Sequence, residues 1–206
     1  MFTIDKIDVK KLGLVIIDLQ RGYCEQGSDC SVKLGWDVHD SELICRAHEP
    51  FLEKMRGILP PSRIMWFQTE EHPATMAPNI VYGNFGLEIE YALCVRGTEA
   101  YDFHIVHPQP EEPVFQKFHY NGFSSVDFRK YLKSQGIQQL AFTGVVASRC
   151  VNATIISAAE RGYECIALSD LVGGPAHLKD ENDAHMKLTT TIYALGMTSG
   201  SLIDRL

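Results

Sequence analysis

Residues 140–163 read LAFTGVVASRCVNATIISAAERGY, and the organisation of the chain follows from them. The segment opens with apolar and β-branched residues from Leu140 to Val146, the composition of a buried strand. A tight passage of small residues follows. From about Cys150 the apolar positions change period. Val151, Thr154, Ile155, Ala158 and Ala159 recur at helical spacing, and Gly162 stops the run. The segment predicts strand, turn and helix, with Cys150 in the first helical turn. A helix N-terminus carries unpaired N–H groups and the positive end of the dipole, and both favour a thiolate. Cys150 is therefore a candidate nucleophile. The competing reading is a small apolar filler, because free cysteines are usually buried and inert.

Outward from that segment, the same grammar repeats. Residues 11–20, KLGLVIIDLQ, form an unbroken apolar run that ends at Asp18. A run without alternation predicts a strand covered on both faces, as in a parallel sheet. Asp18 then sits at a C-terminal strand end, where open α/β sheets place their chemistry. Residues 21–39 read as a long polar loop, in which Tyr23 and Trp36 either face a ligand or pack locally. A helix is expected to start near Pro50, with Phe51, Leu52, Met55, Ile58 and Leu59 on its apolar face. Residues 62–68 predict the second strand and residues 114–118 the third, with Lys117 near its end. Residues 69–112 are irregular, with a short helix expected over 85–94. Ser124 or Ser125 caps a helix carrying Val126, Phe128, Tyr131 and Leu132. Residues 164–169 predict a fifth strand, 180–195 a helix, and 197–203 a short last strand and tail. Strands alternating with helices predict an α/β fold with a parallel sheet and helices on both faces. No repeat or linker divides the chain, so residues 1–206 are expected to form one domain.

Composition narrows the function classes. The chain has 206 residues, of which 45% are hydrophobic and 22% charged, as in ordinary globular proteins. A formal net charge of −7 argues against nucleic acid or an anionic membrane surface as the main partner. No apolar run is long enough to span a bilayer. The first residues, MFTIDKIDVKK, lack the apolar core of a secretion signal. The six cysteines (24, 30, 45, 94, 150 and 165) include no CxxC pair. They are expected to be reduced thiols of a cytoplasmic protein.

Three words in fixed order carry a more specific signal: LVIIDLQRGY around Asp18, EPVFQKFHYNGF around Lys117, and TGVVASRCVNATIISAAERGY around Cys150. With SDLVGG following, the chain resembles the isochorismatase-like cysteine hydrolases. That family includes nicotinamidase, N-carbamoylsarcosine amidohydrolase, biuret hydrolase and ureidoacrylate amidohydrolase. The resemblance runs from Leu12 to about Thr198. It implies a three-layer α/β/α fold whose six-stranded parallel sheet has the order 3-2-1-4-5-6. It also implies a catalytic triad of Asp18, Lys117 and Cys150. In that order the first and fourth strands are neighbours, which independently brings Asp18 toward Cys150. How Lys117 reaches them does not follow from the sequence. The backbone N–H groups of Val146 and Cys150 are the expected oxyanion donors. The resemblance further implies a cis Val145–Val146 bond. Ala147 departs from the family, which often carries Thr there.

The same comparison frames the pocket. Nicotinamidases carry Asp-x-His and a further His after the second strand and bind a divalent metal there. Here the matching letters are Glu70, Glu71, His72 and Pro73. Glu70 and His72 are candidate ligands, but two ligands make a weak site, and no cofactor is expected. Glu70 or Glu71 would instead hydrogen-bond a substrate amide N–H or cation. Tyr23, Phe85, Tyr120 and Phe123 are candidate pocket residues, with plain packing as the alternative. His104 and His119 are read as surface or satisfied core residues. The expected activity is hydrolysis of a small linear amide or ureide through a Cys150 thioester, in a homo-oligomer, dimer or tetramer. Alternatives are a metal-assisted nicotinamidase and a non-catalytic thiol-bearing member of the fold. Isochorismate vinyl-ether hydrolysis is disfavoured, because relatives doing that work lack the cysteine.

Overall fold

Every residue of β1 (Leu12–Ile17) is buried, which requires cover on both faces of the sheet it belongs to. The computed structural model describes residues 4–72, 74–75 and 92–206. Among these, β2 (Ile64–Thr69), β3 (Val114–Lys117), β4 (Gln139–Val145), β5 (Glu164–Gly173) and β6 (Leu195–Met197) join β1. All pairs are parallel, in the order β3-β2-β1-β4-β5-β6, as expected. The alternation of the pleat splits β1 between two cores. Leu12, Leu14 and Ile16 face a cluster with Cys24, Cys45, Leu52, Met55 and Leu202. Val15 and Ile17 face Phe67, Phe128, Leu132, Val151, Ile155 and Ala158. The first face is covered by α1 (Arg21–Cys24), α2 (Asp29–Leu34), α3 (His39–Ile58) and the short α7 (Ser199–Ile203). The second is covered by α4 (Val126–Ser134) and α5 (Asn152–Ala159), with α6 (Lys179–Ile192) beside them. The result is a three-layer α/β/α sandwich.

Boundaries differ from the sequence expectations in instructive places. The expected loop 21–39 contains α1 and α2, whose Tyr23, Cys24 and Cys30 are buried. The helix expected to begin at Pro50 begins eleven residues earlier and holds Pro50 in its interior. An interior proline removes one helical hydrogen bond and costs roughly 3 kcal/mol. The turns before it bury Ser41, Cys45 and His48, and that tertiary burial outweighs the break. β5 extends four residues beyond Ser169 to Gly173. The helix expected over 180–195 stops at Ile192; the last strand, β6, lies at Leu195–Met197, earlier than expected, and most of the expected strand and tail over 197–203 is α7. Ser125 caps α4 as expected, its hydroxyl accepting from the Phe128 N–H. Of the short helix expected over 85–94, residues 85–91 lie outside the described residues, and 92–94 are not helical. Among the described residues, no helix is long and apolar enough to cross a membrane.

One glycine fixes the central seam. Gly144, near the end of β4, has φ of 114°, and a β-carbon there would lie 2.0 Å from the Ile17 carbonyl oxygen. Only glycine lets β4 lie this close to the last residue of β1, one position before Asp18. Gly136 also has positive φ (63°), but nothing lies within 4 Å of its missing side chain. Gly136→Ala should therefore lose about 1–2 kcal/mol, the conformational penalty alone. Gly144→Ala should lose clearly more, because backbone must move as well. Urea unfolding of both variants measures the difference, and equal losses would contradict the close approach.

Candidate active site

The site is assembled from the ends of β1, β2, β3 and β4. Asp18 directly follows β1 in the left-handed region, with φ of 54°. A non-glycine residue there is uncommon, and such backbone clusters at functional sites. Its side chain is buried, and its Oδ1 accepts a 2.7 Å hydrogen bond from the Thr69 hydroxyl. Lys117 ends β3, two strands away from β1. Neighbouring strands are about 4.8 Å apart, so its side chain must cross β2 to reach Asp18. Thr69 is its register partner on β2, and its small side chain leaves the crossing open. The Lys117 ammonium donates to the Thr69 hydroxyl, lies 2.7 Å from Asp18 Oδ2 and 3.3 Å from Cys150 Sγ, and also reaches the His119 carbonyl. Gln20 holds the end of β2 in place. Its side chain accepts from the Thr69 N–H and donates to the carbonyls of Thr69 and Tyr101.

Cys150 comes from the turn that follows β4. The Val145–Val146 peptide bond is cis. Residues Ala147–Val151 then form a π-helical turn, and α5 begins only at Asn152. The turn is anchored to α6 by a 3.0 Å hydrogen bond from the Ser148 N–H to the Asn182 side chain. The expected placement of Cys150 in the first α-helical turn is thus corrected. The pull toward a thiolate expected from a helix N-terminus is outweighed as well. Cys150 is buried, and burial pushes its thiol pKa well up; the pull of Lys117 in the other direction is weaker. The resting group is a thiol, 3.3 Å from the Lys117 ammonium that also pairs with Asp18. Burial is the largest influence on Lys117 and opposes its charge, but Asp18 and Cys150 together outweigh it and the ammonium stays protonated.

These groups open onto a narrow cleft with about 20 Å³ of free space, roughly one water molecule. Tyr23, Glu71, Tyr120, Val146 and Cys150 line it, as do Trp36 and Arg149. Asp18 and Glu71, both buried, line it together with Cys150.

Residues 13–198 match the isochorismatase domain model. The chain belongs to the isochorismatase family. The family's curated members include the ureidoacrylate amidohydrolase RutB of Methylorubrum extorquens, 26% identical over 189 residues that cover 81% of this chain and 72% of that protein. Among solved structures, a cysteine hydrolase from Pseudomonas syringae pv. phaseolicola superposes with a TM-score of 0.77 at 18% identity, over 97% of this chain and 93% of that one. N-carbamoylsarcosine amidase from Thermoplasma acidophilum gives a TM-score of 0.70 at 18% identity, over 92% and 96%. At those identities the two structures establish the fold.

Not every residue singled out from the isochorismatase-like words reaches the cleft. Glu70 does not line it. Its carboxylate is held by Arg96 at 3.1 Å and by the Gln116 side chain at 2.6 Å. Phe123 is buried against Phe128 and Tyr163 on the far side of the sheet's second core, so packing accounts for it. Phe85 lies outside the described residues. The two candidate metal ligands do not converge on a metal. Glu70 already pairs with a cation, and His72 Nδ1 accepts from the Ala74 N–H. Among the described residues, no three His, Cys, Asp or Glu side chains are arranged to hold one. Three site residues escaped the sequence reading: Thr69, Gln20 and Arg149. Thr69 and Gln20 become visible only once the register of β1 to β3 is known. Arg149 had a signal, its position beside Cys150.

Glu71 is the charged group least at ease. It is only 3% exposed. Its Oε1 accepts a 2.9 Å hydrogen bond from the Tyr23 hydroxyl, whereas Oε2 is buried with no hydrogen-bond partner among the described residues. Burial raises its pKa from 4.5 to about 7, against the opposing effects of Tyr23 and Lys117. In the unfolded chain Glu71 loses its proton near the ordinary value; in the folded protein it keeps it to about pH 7. The folded state then binds more protons in that window, so this group makes stability fall as pH rises from about 4.5 to 7. The expected slope is roughly 1.4 kcal/mol per pH unit at most. Glu71→Gln should lose that slope and gain stability over the parent above pH 7, with little difference near pH 4. Urea titrations across this range test it; parallel stability curves would contradict a buried, titrating Glu71.

Proposed function

We propose that the protein is a cysteine-dependent amidohydrolase that cleaves a C–N bond of a small linear amide or ureide. The observation that carries this reading is one ammonium, Lys117, held 2.7 Å from a buried carboxylate and 3.3 Å from the sulfur that lines the cleft. The amidohydrolase activity named for the curated relatives supports it.

The chemistry follows from the charges. Asp18 takes the thiol proton as Cys150 Sγ attacks the carbonyl carbon, and Lys117 offsets the negative charge on sulfur. A C–S bond forms and the carbonyl oxygen becomes an oxyanion. Backbone N–H groups of Val146 and Cys150 are its proposed donors, and a donor in such a position is worth about 2.7–4 kcal/mol. Asp18 then passes its proton to the departing nitrogen, because an amide anion is a poor leaving group. The C–N bond breaks and leaves a thioester. Water attacks that thioester, Asp18 accepts the water proton, the C–S bond breaks, and the proton returns to sulfur. No step is routed through a metal.

Cys150→Ala should abolish turnover while the folded signal persists, since it removes little more than one sulfur. Asp18→Asn should slow acylation by about 10²-fold or more, because an amide cannot take the thiol proton. An amine-release screen over biuret, ureidoacrylate, N-carbamoyl amino acids, maleamate and nicotinamide reads both. Retained turnover in Cys150→Ala would remove the covalent route, and an unslowed burst in Asp18→Asn would remove Asp18 as the base.

A further inference from the structure

Glu71 has no task in the chemistry just described. Its carboxylate is buried, which is costly, and Oε2 finds no hydrogen-bond partner among the described residues. The group is nevertheless held in one orientation. The Tyr23 hydroxyl donates to Oε1 at 2.9 Å, and the Glu71 backbone N–H donates to the Leu93 carbonyl at 3.2 Å. Burial pushes the Tyr23 hydroxyl well above its ordinary pKa, so it remains a donor. Lys117 is committed to Asp18, Thr69 and Cys150. Oε2 is therefore left to a donor that arrives in the cleft, which Glu71 lines together with Cys150 and Asp18.

The cleft grades from a buried end to a half-buried one. Asp18, Glu71 and Cys150 are buried, whereas Trp36, Tyr120 and Arg149 are half-buried and form its mouth. Its free space of about 20 Å³ is the size of a water molecule. Water carries two O–H donors. Asp18 is already occupied on both oxygens, Oδ1 by the Thr69 hydroxyl and Oδ2 by the Lys117 ammonium, and each keeps one lone pair at most. A water held by Asp18 alone turns freely about that one hydrogen bond. A second acceptor fixes the second hydrogen, and with it the direction of the lone pair that must meet a carbonyl carbon.

We propose that Glu71, oriented by Tyr23, is a second catalytic carboxylate that serves thioester hydrolysis alone: its Oε2 accepts one O–H of the attacking water while Asp18 accepts the other. The proposal rests on the amidohydrolase reading and adds to it the group that holds the water. The acyl group on Sγ extends toward the half-buried mouth, and the water stands at the buried end. The water oxygen bonds to the thioester carbon as the O–H facing Asp18 gives up its proton there. The tetrahedral intermediate collapses, the C–S bond breaks, and Asp18 returns that proton to sulfur. Glu71 gains and loses no proton; it aims and polarises the water. Formation of the thioester uses no water, so Glu71 is idle in the first half of the cycle.

The test separates the two halves by rapid mixing of the intact protein with p-nitrophenyl acetate, above about pH 7, where Glu71 is ionised. The burst of p-nitrophenolate reads acylation of Cys150, the linear phase reads hydrolysis, and the mass of the quenched protein reads acetyl on sulfur. Glu71→Gln puts an amide where the acceptor stood. It should leave the burst rate unchanged and slow the linear phase roughly tenfold or more, as expected for one hydrogen bond to a charged group, with acetyl-enzyme accumulating. Tyr23→Phe should slow the linear phase by less and again spare the burst. Hydroxylamine, a stronger nucleophile that needs no activation, should restore release in Glu71→Gln. A merely structural role would slow both phases together. Thermal unfolding confirms that each variant is folded; should Glu71→Gln fail to fold, Glu71→Asp and Tyr23→Phe decide by the same split. If the ester is refused, the fastest amide of the screen above replaces it, read by acyl-enzyme mass and amine release. Both phases slowed alike, or neither slowed, would overturn the role of Glu71, while acyl on Cys150 would leave the amidohydrolase reading standing. No release above the Cys150→Ala background, with the ester or with any amide of the screen, would overturn both.

Discussion

The structure depends on a buried ion pair. Lys117 and Asp18 meet at 2.7 Å with both side chains essentially out of water. Such a pair recovers its desolvation cost only when the remaining hydrogen-bond capacity is also met. Here the Thr69 hydroxyl bridges the two charges, and the Cys150 sulfur and His119 carbonyl take further contacts with the ammonium. Removing one partner from a buried pair of this kind typically costs about 3–5 kcal/mol. The fold therefore holds groups that an apolar core would replace more cheaply, and it holds them where β1, β3 and β4 end.

Burial sets the electrostatics of the whole cleft, in opposite senses for different groups. It keeps Cys150 as a thiol at rest and raises Glu71 to about pH 7, while Lys117 stays charged because Asp18 lies beside it. A thiol, a carboxylate and an ammonium thus share one buried corner of the cleft. The dipole at a helix start contributes less than the sequence suggested, because a π-helical turn separates Cys150 from the start of α5.

Several parts of this arrangement were legible in the linear chain. The unbroken apolar runs around residues 12–17 and 140–145 announced strands covered on both sides, and the helical period from Val151 to Ala159 announced the crossover. The three words around Asp18, Lys117 and Cys150 announced the family, and with it the strand order. What misled was local propensity read without its surroundings. Pro50 looked like a helix start, yet Cys45 and His48 pack against the sheet and carry α3 through it. Phe123 was a pocket candidate because it stands in the same family-matching word as Tyr120, with packing as the alternative, and it packs against Phe128. Glu70 and Glu71 are adjacent and chemically identical, but successive residues past a strand end point to opposite sides. One pairs with Arg96, and the other faces the cleft.

The sequence by itself determined that strands alternate with helices and which three residues stand at strand ends, because these follow from hydrophobic period; the strand order came with the family resemblance that its words carry. Only the tertiary structure decided that Lys117 crosses β2 over Thr69, that Glu71 and not Glu70 enters the cleft, and that Arg149 lies on Trp36 without an acidic partner among the described residues. The reason is physical. Periodicity reports which face of an element is covered, and it is insensitive to the register between strands and to the direction of single side chains beyond their ends. Those two quantities decide which charges meet.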